Sequence, residues 1–242
     1  MNAEEVVTRQ DLAAAFRWAA RLNLHEAVAN HFSAALSDDG RQFLLNPPGR
    51  HFSRIRASEL LLLDADHADH NPPADPSAWF LHGHLHRTVP RARCILHTHM
   101  PYTTTLACLA DYEFLMLDQN ACRFHNRIAY DRDYAGMALD DDEGSRVARI
   151  MGEGKSVLFL GNHGVIVIGA SVAEAFDELY YLEKAAQLQV LALSTGRPLA
   201  IVPDGVAALA CRQWLEYPEL SAQQHLCEIR NILDATEPDY AS

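Results

Sequence analysis

Cys94-Ile95-Leu96-His97-Thr98-His99 and, sixty residues on, Val157-Leu158-Phe159-Leu160-Gly161-Asn162-His163-Gly164-Val165-Ile166-Val167-Ile168 are the most informative stretches of this sequence. Residues two apart on a strand point to the same face, so a strand over 93–98 delivers His97 and His99 side by side. In the second stretch, two four-residue apolar runs flank a Gly-Asn-His-Gly turn. Short apolar runs bounded by turn residues predict buried strands. A tight turn at a strand end can aim one side chain, here His163, into a cleft, and its glycines allow close backbone approach. Neutral imidazoles suit zinc, iron, manganese, nickel or copper. Two ligands from a strand and a third from a turn leave coordination positions open, which distinguishes catalytic from closed structural sites. A lone His-x-His on a strand is a weak motif, however, and two packed or solvent-facing histidines would carry the same letters.

Working outward, Thr8–Leu22 predicts a helix, capped by Thr8 with Asp11 in a capping-box spacing and an apolar stripe of Leu12, Ala15, Phe16, Ala19 and Leu22. Strands are expected over Asn30–Leu36 and Arg41–Asn46, and a short helical turn over Ala57–Leu63. Asp64–Pro76 is polar and proline-rich and reads as a surface loop. Helices are expected over Pro76–Val89, Pro101–Ala110 and Asp140–Glu153, with the longest over Ala173–Leu193. Beyond Gly196, two prolines break the chain before further helical stretches. Strands and helices mix without an internal repeat, so residues 1–242 read as one α/β domain, with a core over about 8–202 and a helical tail over 203–242.

Composition narrows the function classes. Among 242 residues, 49% are apolar and 21% charged, which excludes a mostly disordered or fibrous chain. Against 20 Lys and Arg stand 32 Asp and Glu, a formal charge of −12. That surface disfavours nonspecific binding to nucleic acid or anionic membranes. No window approaches the roughly 18 apolar residues of a membrane span. Five scattered cysteines without a Cys-x-x-Cys pair point to reduced thiols and a cytoplasmic location.

The stretch from His97 to Thr103 (HTHMPYT), followed by Leu106-Ala107, resembles the metal-binding strand and following helix of the class II aldolase/adducin family. Phe159–Gly164 (FLGNHG), then Gly169, Glu174-Ala175-Phe176 and Leu182-Glu183, is similar to that family's second signature. Asn23–Ser33 (NLHEAVANHFS) resembles its N-terminal loop, and Leu45-Asn46-Pro47 with Gly49 the loop after it. The agreement runs in order from about Leu12 to Val202. The resemblance implies a three-layer α/β/α fold with a central, largely antiparallel sheet, and often a homotetramer with active sites between subunits. It also implies one divalent metal per chain, zinc foremost and manganese or iron as alternatives, held by His97, His99 and His163.

Two departures stand out. The sugar-phosphate members carry an acid/base glutamate where this chain has Ala78. They cradle phosphate with small hydroxyl residues and glycine, where this chain has Val28, Ala29, Asn30 and His31. A methyl group moves no proton, and the loop offers few hydroxyl donors, so a phosphorylated substrate is disfavoured. The pattern resembles the adducin-like bacterial branch. His82 shares a helix face with His86 and stands where many relatives have a histidine. It is the candidate proton shuttle, with a packing histidine as the plain alternative. His84 points elsewhere. His31, read as a loop residue, and Asn30, Tyr102 and Gln119 are candidate substrate contacts; Tyr102 could equally pack its helix, and Gln119 bridge loops. His51 borders the same loops, while His67 and His70 read as solvated. Asp140–Glu143 is a helix N-terminal charge cluster. Glu183 reads as structural, and Tyr240 as part of a frayed end.

Three functions compete. The first is a divalent-metal-dependent carbon–carbon lyase, an aldolase or decarboxylase acting on a small non-phosphorylated hydroxy- or oxo-acid. The second is a three-histidine non-haem iron oxygenase. The third is a non-catalytic adducin-like interaction module with a vestigial metal site. Three ligands kept on two separate segments favour the first.

Overall fold

In the computed structural model, residues 2–67, 73–133, 136, 141–217 and 221–242 are described. His70 and Asp140 lie outside them. Seven helices and seven strands follow in the order α1 (Ala3–Arg21), β1 (His31–Ala35), β2 (Gln42–Leu45), β3 (Leu61–Asp64), α2 (Pro76–Thr88), β4 (Cys94–Thr98), α3 (Pro101–Ala107), β5 (Ile128–Asp131), α4 (Asp141–Met151), β6 (Val157–Leu160), β7 (Gly164–Gly169), α5 (Val172–Ser194), α6 (Asp204–Glu216) and α7 (Ala222–Thr236) among the described residues.

The strands form one sheet in the order β3-β2-β1-β4-β7-β6-β5. Every pairing is antiparallel except β5 with β6. The expected largely antiparallel sheet is therefore present, and its faces sort by the period of two. Phe32, Ala34, Cys94, Leu96, Val165 and Val167 join one core with α1, α5 and α7. Ile95, Ile166 and Ile168 join a second core with Leu81 and Leu85 of α2 and Val147 and Met151 of α4. Helices thus cover both faces, which is why β4 and β7 read as continuous apolar runs. In the first core Phe16 packs on Phe32 and Phe52 at ring-centroid distances of 4.8 and 4.6 Å. Each such ring contributes about 1.5–3 kcal/mol by leaving water.

The structure corrects several sequence expectations. The first helix begins at Ala3, because Asn2 accepts the Glu5 N–H and caps it six residues earlier than Thr8 would. Asp11 makes no capping box and instead pairs with Arg230 at 2.6 Å. The expected turn at 57–63 divides into a single 3₁₀ turn, Ala57–Glu59, and strand β3. The strand β5 had no counterpart in the sequence reading.

The tail is a wall of the first core. Leu226, Ile229 and Leu233 of α7 are buried in it. The end is not frayed: Tyr240 is fully buried and its hydroxyl donates to Asp234 at 2.9 Å. Arg17, buried on α1, explains why. Its guanidinium needs acceptors, and Glu237 and Asp239 supply them at 3.0 and 2.9 Å. Among the described residues no helix is long and apolar enough to cross a membrane.

Candidate metal centre

The register of the central strands assembles the site. His31 of β1 pairs with His97 of β4, and Ser33 with Ile95, so all four side chains share the α2 face. His31 is a strand residue, not a loop residue, since Asn46 pins the strand start by accepting the Phe32 N–H at 3.1 Å. His99 follows one residue after β4. His163 tops the β6–β7 turn, where its N–H donates to Leu160 at 3.1 Å and Asn162 adopts a left-handed backbone with φ 56°. This turn is anchored by Gly161 N–H to the Asp131 carbonyl at 2.7 Å and by Asn162 N–H to that of Ala107 at 3.1 Å.

His97, His99 and His163 converge. Each offers a ring nitrogen, and these lie within 4.8 Å of one another. The neighbours determine which nitrogens are available. The Nδ1–H of His97 donates to the Val165 carbonyl at 3.0 Å, and that of His99 to the Glu26 carboxylate at 2.5 Å. In the neutral tautomers this implies, both Nε2 atoms carry lone pairs, and they stand 3.2 Å apart. Two lone pairs at that separation repel unless a cation lies between them. Burial and the neighbouring histidines hold His97 well below the ordinary histidine range, which disfavours a proton in that role. Burial likewise lowers His163 to about 4. The donor set fits a divalent metal, with a carbonyl and a carboxylate fixing two ligand tautomers from behind.

Gly164 makes room for this arrangement. A Cβ there would stand 2.5 Å from the Thr98 carbonyl oxygen and 2.8 Å from Cδ2 of His99. Asn30 ties the N-terminal loop to the site: its Oδ1 accepts the Glu26 N–H at 2.6 Å and the His99 N–H at 3.4 Å. Its Nδ2 is buried and has no partner among the described residues.

The other sequence candidates fall elsewhere. His82 is fully buried behind His31, with its Nε2 2.7 Å from His31 Nδ1 and its Nδ1 bonded to Ser33. With both nitrogens engaged and no exposed surface, it has no direct contact to offer a substrate. Tyr102 lines a separate groove between α3 and α5, where its hydroxyl accepts from Gln187 at 3.2 Å. Gln119 lines a surface groove against Trp214 and Tyr217, and its carbonyl accepts the Trp214 indole N–H at 3.2 Å. Ala78 is buried among Phe43, Leu45 and Leu63. His51 meets His25 at 3.1 Å. His84 faces α4, with Ser145 3.4 Å from its Nδ1. Within the acidic start of α4, Glu143 pairs with Arg146 at 2.7 Å.

Glu26 has no counterpart among the sequence candidates, whereas Glu183, expected to be structural, takes that role. Glu26 sits in a loop with no periodicity to mark it. Glu183, buried on α5, accepts the N–H groups of Tyr102 and Thr103 at 2.8 and 2.9 Å and so fixes the start of the helix that follows His99. Burial pushes its carboxyl upward.

The family profile described as Class II Aldolase and Adducin N-terminal domain matches residues 10–190. A Pseudomonas aeruginosa protein named for the class 2 aldolases is 31% identical over 211 residues, covering 86% of this chain and 80% of that one. Decarboxylase NovR of Streptomyces niveus is 29% identical over 205 residues, covering 83% and 75%. Among solved structures, an aldolase II superfamily protein from Pseudomonas syringae superposes with a TM-score of 0.90 at 30% identity, over 100% of this chain and 98% of the other.

Proposed function

The chain belongs to the class II aldolase and adducin family, and we propose that within it this member is a divalent-metal-dependent carbon–carbon lyase, an aldolase or decarboxylase, acting on a small non-phosphorylated hydroxy- or oxo-acid. The observation that carries the reading is the convergence of His97, His99 and His163, whose ring nitrogens lie within 4.8 Å of one another, with the Nε2 atoms of His97 and His99 3.2 Å apart. In this reading the three histidines hold one divalent ion per chain, zinc foremost and manganese or iron as alternatives. When bound, the ion supplies an electron sink for the charge that develops on a substrate oxygen as the neighbouring carbon–carbon bond breaks.

The chain's own groups do the rest. Asn30 directs its partnerless Nδ2–H as a donor toward a substrate oxygen. His31, opposite His97 with ring centroids 4.7 Å apart, takes the place of the missing glutamate as a proton-handling side chain. Residues 26–31 bring a carboxylate to the rim and no hydroxyl side chain, which favours an uncharged group over a phosphate at that end. Ala78 leaves no carboxylate on α2 for aldol chemistry. That favours decarboxylation, which needs chiefly an electron sink and a proton donor, and the likeness to a named decarboxylase supports the same branch.

The proposal extends to assembly and location. A homo-oligomer, tetramer favoured, would bring Tyr102 or Gln119 of a neighbouring copy toward the site. The exposed apolar side chains Leu188, Leu191, Ile201, Val206, Leu209 and Leu215 are consistent with such contact. Five free cysteines fit a reducing cytoplasm.

The test is elemental analysis of untagged protein purified without added metal, alongside His97→Ala, followed by a screen of β-hydroxy- and β-oxo-acids for release of carbon dioxide or aldehyde. About one metal per chain, lost in the variant, with metal-dependent turnover, supports the lyase. A metal-free protein that takes up neither zinc, manganese nor iron refutes it and favours the interaction module. Oxygen consumption in step with turnover favours the oxygenase.

A further inference from the structure

Behind the metal histidines runs a buried row of polar side chains that the proposed chemistry does not use. His86 Nδ1 lies 2.6 Å from the Ala92 carbonyl oxygen, and its Nε2 lies 2.7 Å from Ser33 Oγ. The same hydroxyl bonds His82 Nδ1, and His82 Nε2 lies 2.7 Å from His31 Nδ1. All of these side chains are buried, and the row ends at His31, beside His97.

A carbonyl oxygen only accepts, so the row has a direction. His86 must carry its proton on Nδ1, because an unprotonated Nδ1 would set a lone pair against the Ala92 carbonyl. Burial holds His86 at about 3, so the ring is neutral and its Nε2 is an acceptor. Ser33 has one proton, which therefore goes to His86, and its oxygen must accept from His82 Nδ1–H. His82, also kept neutral by burial, is left with an unprotonated Nε2. That nitrogen accepts from His31 Nδ1–H. Each step fixes the next, and the backbone carbonyl at the far end, which can release no proton, makes the row a latch and not a conduit.

We propose that Ala92, His86, Ser33 and His82 form a directional hydrogen-bond chain that locks His31 as its Nδ1–H tautomer, so that His31 presents an unprotonated Nε2 beside the three-histidine cluster as the acceptor for a substrate proton or hydrogen bond. The naming of a substrate donor rests on the lyase reading; the tautomer lock does not. Ser33, His82 and His86 are positioning residues that act through His31. A neutral histidine in water favours the opposite, Nε2–H form, so the lock leaves a signature that plain packing does not.

The experiment is two-bond proton–nitrogen correlation NMR on protein labelled with ring-¹⁵N histidine, metal-free and zinc-loaded, with signals assigned by their loss in His31→Gln, His82→Gln and His86→Gln. The expected result is the Nδ1–H pattern at all three rings. In Ser33→Ala the link is cut, and His31 shifts wholly or partly to the Nε2–H pattern; Ser33→Thr, which keeps the hydroxyl, retains Nδ1–H. An Nε2–H pattern at His31 in the unaltered protein overturns the proposal, and that reading needs no variant to fold. So does an unchanged Nδ1–H pattern at His31 in Ser33→Ala. The Nδ1–H pattern in a protein that takes up no metal and cleaves no substrate upholds the lock while sinking the lyase.

Discussion

Substituting Gly164 by alanine should damage the three-histidine cluster, the candidate metal site, through a single added methyl. The new Cβ would lie 2.5 Å from the Thr98 carbonyl oxygen and 2.8 Å from Cδ2 of His99, where ordinary contact begins at 3.4 Å. The overlaps are therefore about 0.9 and 0.6 Å. The Thr98 overlap can be relieved only by moving the backbone of β4 or β7, and the His99 overlap by turning the His99 ring, so both adjustments displace His99. Metal ligands tolerate departures of only about 0.2 Å, and disturbing a ligand's support costs about 10–100-fold in affinity. We expect zinc affinity to fall by that factor, on top of an overpacking cost of about 1–3 kcal/mol in stability. Gly169→Ala is the control. At the other end of the same strand its Cβ would lie 2.5 Å from the Ala175 backbone nitrogen, a comparable clash far from the histidines in sequence register. Competition with a chromophoric chelator measures affinity, and thermal melts of the metal-free proteins measure stability. Both variants should melt lower, while only Gly164→Ala should lose zinc. Wild-type affinity in Gly164→Ala, or an equal loss in Gly169→Ala, would refute the reasoning that this methyl acts through His99.

Three further outcomes can be checked. Ala78→Glu should not restore an acid/base group cheaply: the carboxyl would enter the Phe43, Leu45 and Leu63 cluster, and denaturant melts should show a loss of about 2–4 kcal/mol with zinc binding retained; unchanged stability would mean the side chain escapes to the site. Deleting residues 238–242 should cost about 3–5 kcal/mol, because it removes buried Tyr240 and takes Asp239 from buried Arg17, and a melt unchanged by the deletion would contradict the docked tail. The metal-free protein should be acid-labile: burial depresses His31 to about 4 and His86 to about 3 from 6.5, so below pH 6.5 the unfolded chain binds protons that the folded chain refuses. Each of these histidines then costs on the order of 1.4 kcal/mol per pH unit until its folded pKa is reached, and a flat melting temperature between pH 7 and 5 would argue against buried neutral rings.

What could be read from the sequence was what has a period or a local signature. The period of two brought His97 and His99 to one face, and the Gly-Asn-His-Gly turn put His163 between two strands, because both are short-range geometry. The strand β5 escaped, since four residues with one polar member, paired in parallel at the sheet edge, leave little pattern. The helix start was misjudged because Asn2 and Thr8 are both good caps, and the choice between them depends on contacts along the whole helix. The catalytic proposal for His82 identified the right helix face but not its depth: β1 register sets His31 between His82 and His97. Glu26 and the Val165 carbonyl reach the clustered histidines only through tertiary folding, and nothing in their neighbours in sequence announces it. Tyr240 looked free because chain ends usually are; the buried charge of Arg17, more than two hundred residues away, holds that end in place.

The three convergent histidines come from the central sheet and one of its turns, whereas positions 78, 82 and 86 lie along a single face of α2. The two sets are joined through Ser33 and His31 of β1, which bond His86 and His82 of the helix, so the helix face and the sheet act as one hydrogen-bonded unit behind the cluster. Position 78 stands apart from that unit, packed among Phe43, Leu45 and Leu63, so a change there need not disturb the row of histidines. An alanine at position 78 is thus compatible with an intact three-histidine cluster, because the two are held by different packing contacts.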